Sequence, residues 1–298
     1  MTQQKSDIPY KSATLPQKLS GSHKFTFSCY QGISCYNACC KQADITLTPY
    51  DIIRLKNNLK IDSSEFLKTY TVPFEMDSDG MPGVKLRHVE ETTQCLLMNE
   101  SGCSVYEDRP TACRYYPIGQ LSLRKSEVFH DEIHYVKIKE SHCQGHLEKT
   151  EFSIDQYRQN QEVQIYDELN RTWQQIILKR KSAGPAVGKP SPTSFQFYFL
   201  AMFDQDRFRK FMQSSSFLDT YDIPEKLLKQ IIKDDLECLR FAYRLLLQVL
   251  FGEQTIDLKQ EAVKQRIKER EQTWAERKKA EEILYRQKQD QYDEKLDD

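Results

Sequence analysis

Cys29-Tyr30-Gln31-Gly32-Ile33-Ser34-Cys35-Tyr36-Asn37-Ala38-Cys39-Cys40 places four cysteines in one short stretch. Further on, Gly102-Cys103-Ser104-Val105-Tyr106-Glu107-Asp108-Arg109-Pro110-Thr111-Ala112-Cys113-Arg114 carries two more. Cys95 lies ahead of it and Cys143 behind. Eight of the nine cysteines therefore fall between Cys29 and Cys143. The ninth, Cys238, sits in a helical pattern and reads as a core residue, because a lone thiol behaves as a small hydrophobe.

The opening residues, Met1-Thr2-Gln3-Gln4-Lys5-Ser6-Asp7, have no apolar core of the kind a secretory signal needs. No stretch approaches the run of about 18 apolar residues that spans a bilayer. The expected location is the cytoplasm, with no membrane association. Disulfides are disfavoured in that reducing compartment, so clustered cysteines point to metal binding or catalysis. The chain has 298 residues and a formal net charge of −1, which gives no general attraction to nucleic acid or anionic membrane. Hydrophobic residues at 39% supply a core, and charged residues at 29% imply an extensive surface.

Outward from the cysteines, residues 1–24 are polar and read as a flexible tail. The cysteine domain is expected over 25–150. Within it, Thr48-Pro49-Tyr50-Asp51 has the form of a helix start, with Thr48 as N-cap, Pro49 first in the helix and Asp51 third. Asp62-Ser63-Ser64-Glu65 has the form of a second. Val84, Leu86 and His88 alternate as in a strand. Cys95 to Met98 and Cys103 to Tyr106 read as hairpin arms with a cysteine on each. Pro110 opens a short helical turn that Pro117 closes, and Leu121–Leu123 and Ile133–Ile138 read as strands. Residues 151–181 are expected as one long helix and 182–194 as a linker, broken by Gly184, Pro185, Gly188, Pro190 and Pro192. A helical region follows over 195–252, strongest from Asp234 to Phe251. A charged helix then covers 253–298, with Trp274 and Leu284-Tyr285 as its docking candidates for a protein partner. The fold class is thus α+β: a small cysteine-cluster metal-binding domain, a mostly α-helical region, and a charged C-terminal helix.

The candidate metal ligands are Cys29, Cys35, Cys39, Cys40, Cys95, Cys103, Cys113 and Cys143. If 35–40 were helical, Cys35 and Cys39 would share a face and Cys40 would be rotated about 100° from it. Cys113, in the first turn after Pro110, would meet free helix N–H groups that favour a thiolate. Arg109 and Arg114 add positive charge, which thiolates sharing a site need against their mutual repulsion. His142 and His146 flank Cys143 as further candidates. His88, His130 and His134 read as surface or core residues. Four thiolates suit a structural zinc ion or an iron–sulfur cluster alike, and eight allow one site or two.

Phe27-Ser28-Cys29, Cys35, the Cys39-Cys40 pair, Gly102 through Pro110, and Cys113-Arg114-Tyr115-Tyr116-Pro117 together resemble the YkgJ-type cysteine cluster family. The Leu47-Thr48-Pro49 to Leu67 helix pair is similar as well. The resemblance covers roughly residues 25 to 147. The gap from Cys29 to Cys35 is longer than the family's usual one. The resemblance implies zinc or iron chelation. Through the related flagellin lysine N-methylases it also implies an iron–sulfur centre.

Two functions follow. The first is a metal-binding protein that holds an iron–sulfur cluster, or zinc, in a redox or structural role. The second is a protein-lysine N-methylase. Against the second, none of the ten glycines forms the glycine-rich strand-to-helix turn common in methyl-donor pockets. No nucleophile elbow, HExxH pattern or phosphate-binding loop is present.

Overall fold

The computed structural model describes residues 18–42, 44–78, 80–123, 132–182, 191–265, 267, 268 and 271. The chain divides into two compact units, one up to Arg207 and one from Phe208. The boundary falls within a short helix. Its fold class is α+β.

Among the described residues, the first unit contains nine short strands: β1 (Lys24–Thr26), β2 (Thr46–Leu47), β3 (Thr71–Glu75), β4 (Pro82–Leu86), β5 (Met98–Asn99), β6 (Gly102–Cys103), β7 (Ile118–Leu123), β8 (Glu132–Lys137) and β9 (Glu151–Ser153). They form four small antiparallel sheets, β1–β9, β2–β4–β3, β5–β6 and β7–β8. Its helices are α1 (Pro49–Leu59), α2 (Ser63–Tyr70), α3 (Thr111–Tyr115), α4 (Ile154–Asn160), α5 (Val163–Ser182) and α6 (Pro192–Phe203), and α7 (Gln205–Met212) crosses the boundary.

Local chemistry explains the helix starts. Thr48 caps α1 by accepting the Asp51 N–H, and Asp51 returns a bond by accepting the Thr48 N–H at 2.9 Å. Such a capping box satisfies donors that the helix cannot, and a cap contributes about 1 kcal/mol. Asp62 caps α2 by accepting the Glu65 N–H. Asp51 reaches further: its other oxygen accepts the Thr111 N–H and hydroxyl at 2.8 and 2.7 Å. Pro110 supplies no side-chain cap to α3, so the buried Asp51 carboxylate supplies it from α1.

The long helix expected over 151–181 is two helices preceded by a strand. Residues 151–153 form β9 against β1, and α4 stops before Gln161. Glu162 adopts a left-handed φ of 54°. The cause is tertiary. The Gln161 carbonyl accepts from Arg114 at 2.9 Å, and its side-chain oxygen accepts from Arg109. The helical pattern pointed to one continuous helix and carried no sign of that interruption.

The core beside the cysteine segments is aromatic. Phe25, Phe27, Tyr115, Ile118, Ile154, Tyr157 and Val163 are buried together. Tyr157 meets Phe25 and Phe27 edge-on, with ring centroids 5.4 and 5.9 Å apart. The Tyr157 hydroxyl donates to the Tyr116 carbonyl at 2.6 Å, which ties α4 to the end of α3. Trp173 on α5 donates to the buried Tyr198 hydroxyl on α6 at 2.7 Å.

The second unit holds α8 (Ser215–Thr220), α9 (Glu225–Lys233) and α10 (Asp235–Phe251). Asp234 caps α10, and Gly252, at φ 72°, ends it. Cys238 is fully buried on α10 beside Leu239 and Ala242 in sequence, as a core cysteine should be. The charged segment is helical over 260–265. Most of it, with Trp274, Leu284 and Tyr285, lies outside the described residues, as do 1–17, His130 and most of the expected linker. Among the described residues no helix is long and apolar enough to cross a membrane.

Candidate metal centre

The first cysteine group hangs from β1. Phe27 donates its N–H to the Thr150 carbonyl at 3.0 Å, and Ser28 to the Gly145 carbonyl at 3.1 Å. This brings Cys29 alongside the segment that carries Cys143. Gly145 is required at that crossing: a Cβ there would lie 2.7 Å from both the Phe27 ring and the Ser28 carbonyl. The Gln144 N–H donates to the Cys35 sulfur at 3.2 Å, so Cys35 joins the same neighbourhood.

Residues 35–40 do not form the helix considered from their spacing. They make successive tight turns, with Ala38 N–H on Cys35 O and Cys40 N–H on Asn37 O, and Asn37 sits at a left-handed φ of 64°. A 3-10 turn follows over Cys39–Gln42. A left-handed residue between Cys35 and Cys39 breaks the repeat that would set them on one face. The adjacent pair instead forms a contact of its own, a hydrogen bond shared between the Cys39 and Cys40 sulfurs.

The second group is anchored to that pair. The Cys95 N–H donates to the Cys40 carbonyl at 2.8 Å. The expected hairpin is shorter than its pattern suggested. Only Met98–Asn99 and Gly102–Cys103 pair, so Cys103 lies on an arm while Cys95 precedes the other and bridges His88. Gly102 occupies φ 127°, with the Tyr36 hydroxyl 2.9 Å from where a Cβ would stand. Only glycine takes that backbone readily. Cys113 is the third residue of α3, held in place through Asp51.

Burial and mutual repulsion dominate the thiols. Cys29 is pushed up to about 11 by burial and by the neighbouring Cys39, Cys35 and Cys143, against which Arg109 acts. Cys40 is raised by its hydrogen bond to Cys39 and by burial. Cys39 is lowered by the hydrogen bond it shares with Cys40. Burial raises Cys95, Cys103 and Cys113. The helix-start effect expected at Cys113 is therefore outweighed: burial, and then the charges of Cys95, Cys103 and Cys39, push this half-buried thiol up.

The two arginines divide their roles. Arg109 is the cation that lowers Cys29 and Cys103. Its guanidinium lies over the Tyr106 ring at 4.1 Å and donates to the Tyr106 carbonyl and Gln161. Arg114 is 3% exposed and donates to the carbonyls of Arg109, Gln161 and Glu107. It also stacks on Tyr166 at 4.6 Å. Arg114 thus ties the loop before α3 to the α4–α5 junction, a different task from the electrostatic support its position suggested.

The flanking histidines meet other partners. His146 donates from Nε2 to the Ile138 carbonyl at 3.0 Å and packs on Phe27. His142 Nε2 lies 3.4 Å from a Glu140 oxygen. Sequence reasoning missed Asp51, Gln144 and Gln161 as positioning residues. The capping-box motif alone could have singled out Asp51. None of the nine cysteines forms a disulfide. Among the described residues, no three Cys, His, Asp or Glu side chains already stand in metal-binding geometry. The thiols are gathered without being closed into a cage.

This assembly defines a cysteine-cluster domain. Residues 28–144 match the CxxCxxCC family model, described as "Putative zinc- or iron-chelating domain". No curated protein and no solved structure matches the chain.

Proposed function

We propose that the protein binds zinc or iron through clustered cysteine thiolates, with an iron–sulfur cluster as the favoured occupant and zinc as the alternative. The observation that carries this reading is the gathering of eight thiols, none in a disulfide, from four separate stretches of one unit. Burial and repulsion hold most of the shifted thiols above their ordinary range, and a bound cation relieves that repulsion. All-sulfur donor sets suit both zinc and iron–sulfur clusters. The side chains must swing inward to close on the metal. When bound, the group would supply a structural crosslink as zinc, or electron transfer as a cluster.

Anaerobic purification followed by analysis of zinc, iron and acid-labile sulfide tests this. A cluster gives brown protein, absorption near about 400 nm, and sulfide matching iron. Zinc without sulfide would move the assignment to the alternative. Protein containing neither metal, and unable to take up either after reduction, would contradict metal binding itself.

A further inference from the structure

We infer that Tyr116 is a positioning residue of the metal centre, whose buried hydroxyl donates a hydrogen bond to the Cys143 thiolate once that sulfur holds metal. This deepens the proposed metal-binding function and rests on it.

The backbone brings Tyr116 and Cys143 together from two sides. Tyr116 follows α3, and β7 begins two residues later. In the β7–β8 hairpin Ile118 stands opposite Lys137, and the Ile138 N–H donates to the Pro117 carbonyl at 2.8 Å, so the ladder runs on toward Tyr116. Beyond Ile138 the chain turns at Glu140, whose carbonyl accepts the Cys143 N–H at 3.1 Å. On the other side, the Tyr157 hydroxyl donates to the Tyr116 carbonyl at 2.6 Å. The Tyr116 ring meets Phe27 edge-on, with centroids 6.3 Å apart. Tyr116 and Cys143 pack against the same aromatic cluster.

The hydroxyl at the end of that ring is buried and completes no well-aligned hydrogen bond among the described residues. Cys143 and Glu140 are the side chains that bear on it. A buried hydroxyl left without a partner is destabilising. A neutral thiol is a weak acceptor, whereas a thiolate is charged and accepts strongly. Metal binding deprotonates the thiol. The Cys143 proton leaves to water, Tyr116 keeps its own, and the sulfur becomes the acceptor that the hydroxyl lacks. Glu140 is the competing acceptor, and one of its oxygens also lies 3.4 Å from His142 Nε2. A hydrogen bond to a metal ligand fixes its orientation, and losing such a partner typically costs about 10–100-fold in metal affinity.

The test measures the zinc affinity of the reduced full-length chain under argon, by competition with a chromogenic chelator. Tyr116→Phe removes only the hydroxyl and should weaken binding by about 10–100-fold. Glu140→Gln should leave zinc held at least as tightly, because a carboxylate beside a thiolate repels it. A tyrosine fluorinated beside its hydroxyl, incorporated in place of Tyr116, keeps the ring and donates more strongly. It should bind zinc more tightly than the unsubstituted chain, an order that packing alone does not produce. Equal affinity in Tyr116→Phe, an equal loss in Glu140→Gln, or weaker binding with the fluorinated ring would overturn the role. If the unsubstituted chain takes up neither zinc nor iron with sulfide, the proposed function fails and this role with it. Zinc binding that ignores every change at Tyr116 removes the role alone.

Discussion

Arg109 precedes the short helix α3 and Arg114 lies within it, yet it is Arg109 whose charge bears on the Cys29 and Cys103 thiols. Substitution separates the two roles. Arg109→Gln should weaken zinc binding by about tenfold, the equivalent of one pKa unit of interaction, and change stability little. A competition titration against a chelator measures it, and unchanged affinity would remove Arg109 from the site's electrostatics. Arg114→Ala should cost about 3 kcal/mol in urea denaturation, because three carbonyls lose a buried charged donor. Arg114→Lys should not restore it, since an ammonium cannot match the planar fork. The sequence showed both arginines as cations near cysteines. Which of them reaches the thiols depends on carbonyls at Glu107 and Gln161, distant partners that no local pattern encodes. The cysteines were legible for the opposite reason: eight thiols in one region stand out by residue type alone.

At the scale of elements, local signals predicted the helix starts well. Thr48, Asp62 and Asp234 cap the helices that follow them. Signals failed where a distant group overrides local preference, as at Gln161–Glu162, or where a left-handed residue interrupts a short run, as at Asn37. Asp51 joins both levels, since it caps α1 locally and α3 across the unit. Asp51→Ala should lose both, about 2 kcal/mol, lowering Tm by about 4–8 °C and loosening the position of Cys113. Calorimetry checks the first effect, and a Tm within a degree of the unsubstituted protein would contradict the dual role. Gly102→Ala should cost about 1–3 kcal/mol through its left-handed backbone and the Tyr36 hydroxyl beside it. Its readout is urea denaturation, with a loss below measurement error as the contrary result.

For the whole molecule, the α+β class and the order of a cysteine region followed by helices were readable from periodicity and composition. The four small sheets were less so, because strands of two or three residues carry too little pattern. Gathering thiols from residues 29 to 143 makes metal affinity part of the folding energy, about 10–16 kcal/mol for structural zinc in small domains. Chelation should therefore speed amide exchange across residues 28–144 well before α10, by hydrogen-exchange mass spectrometry. Equal exchange with and without chelator would mean that the metal contributes little to this fold. The most direct measurement of the central claim is metal K-edge X-ray absorption on the anaerobically purified full chain. A first shell made of sulfur alone, at about 2.3 Å, is the result expected for thiolate coordination. A first shell of oxygen and nitrogen would contradict it.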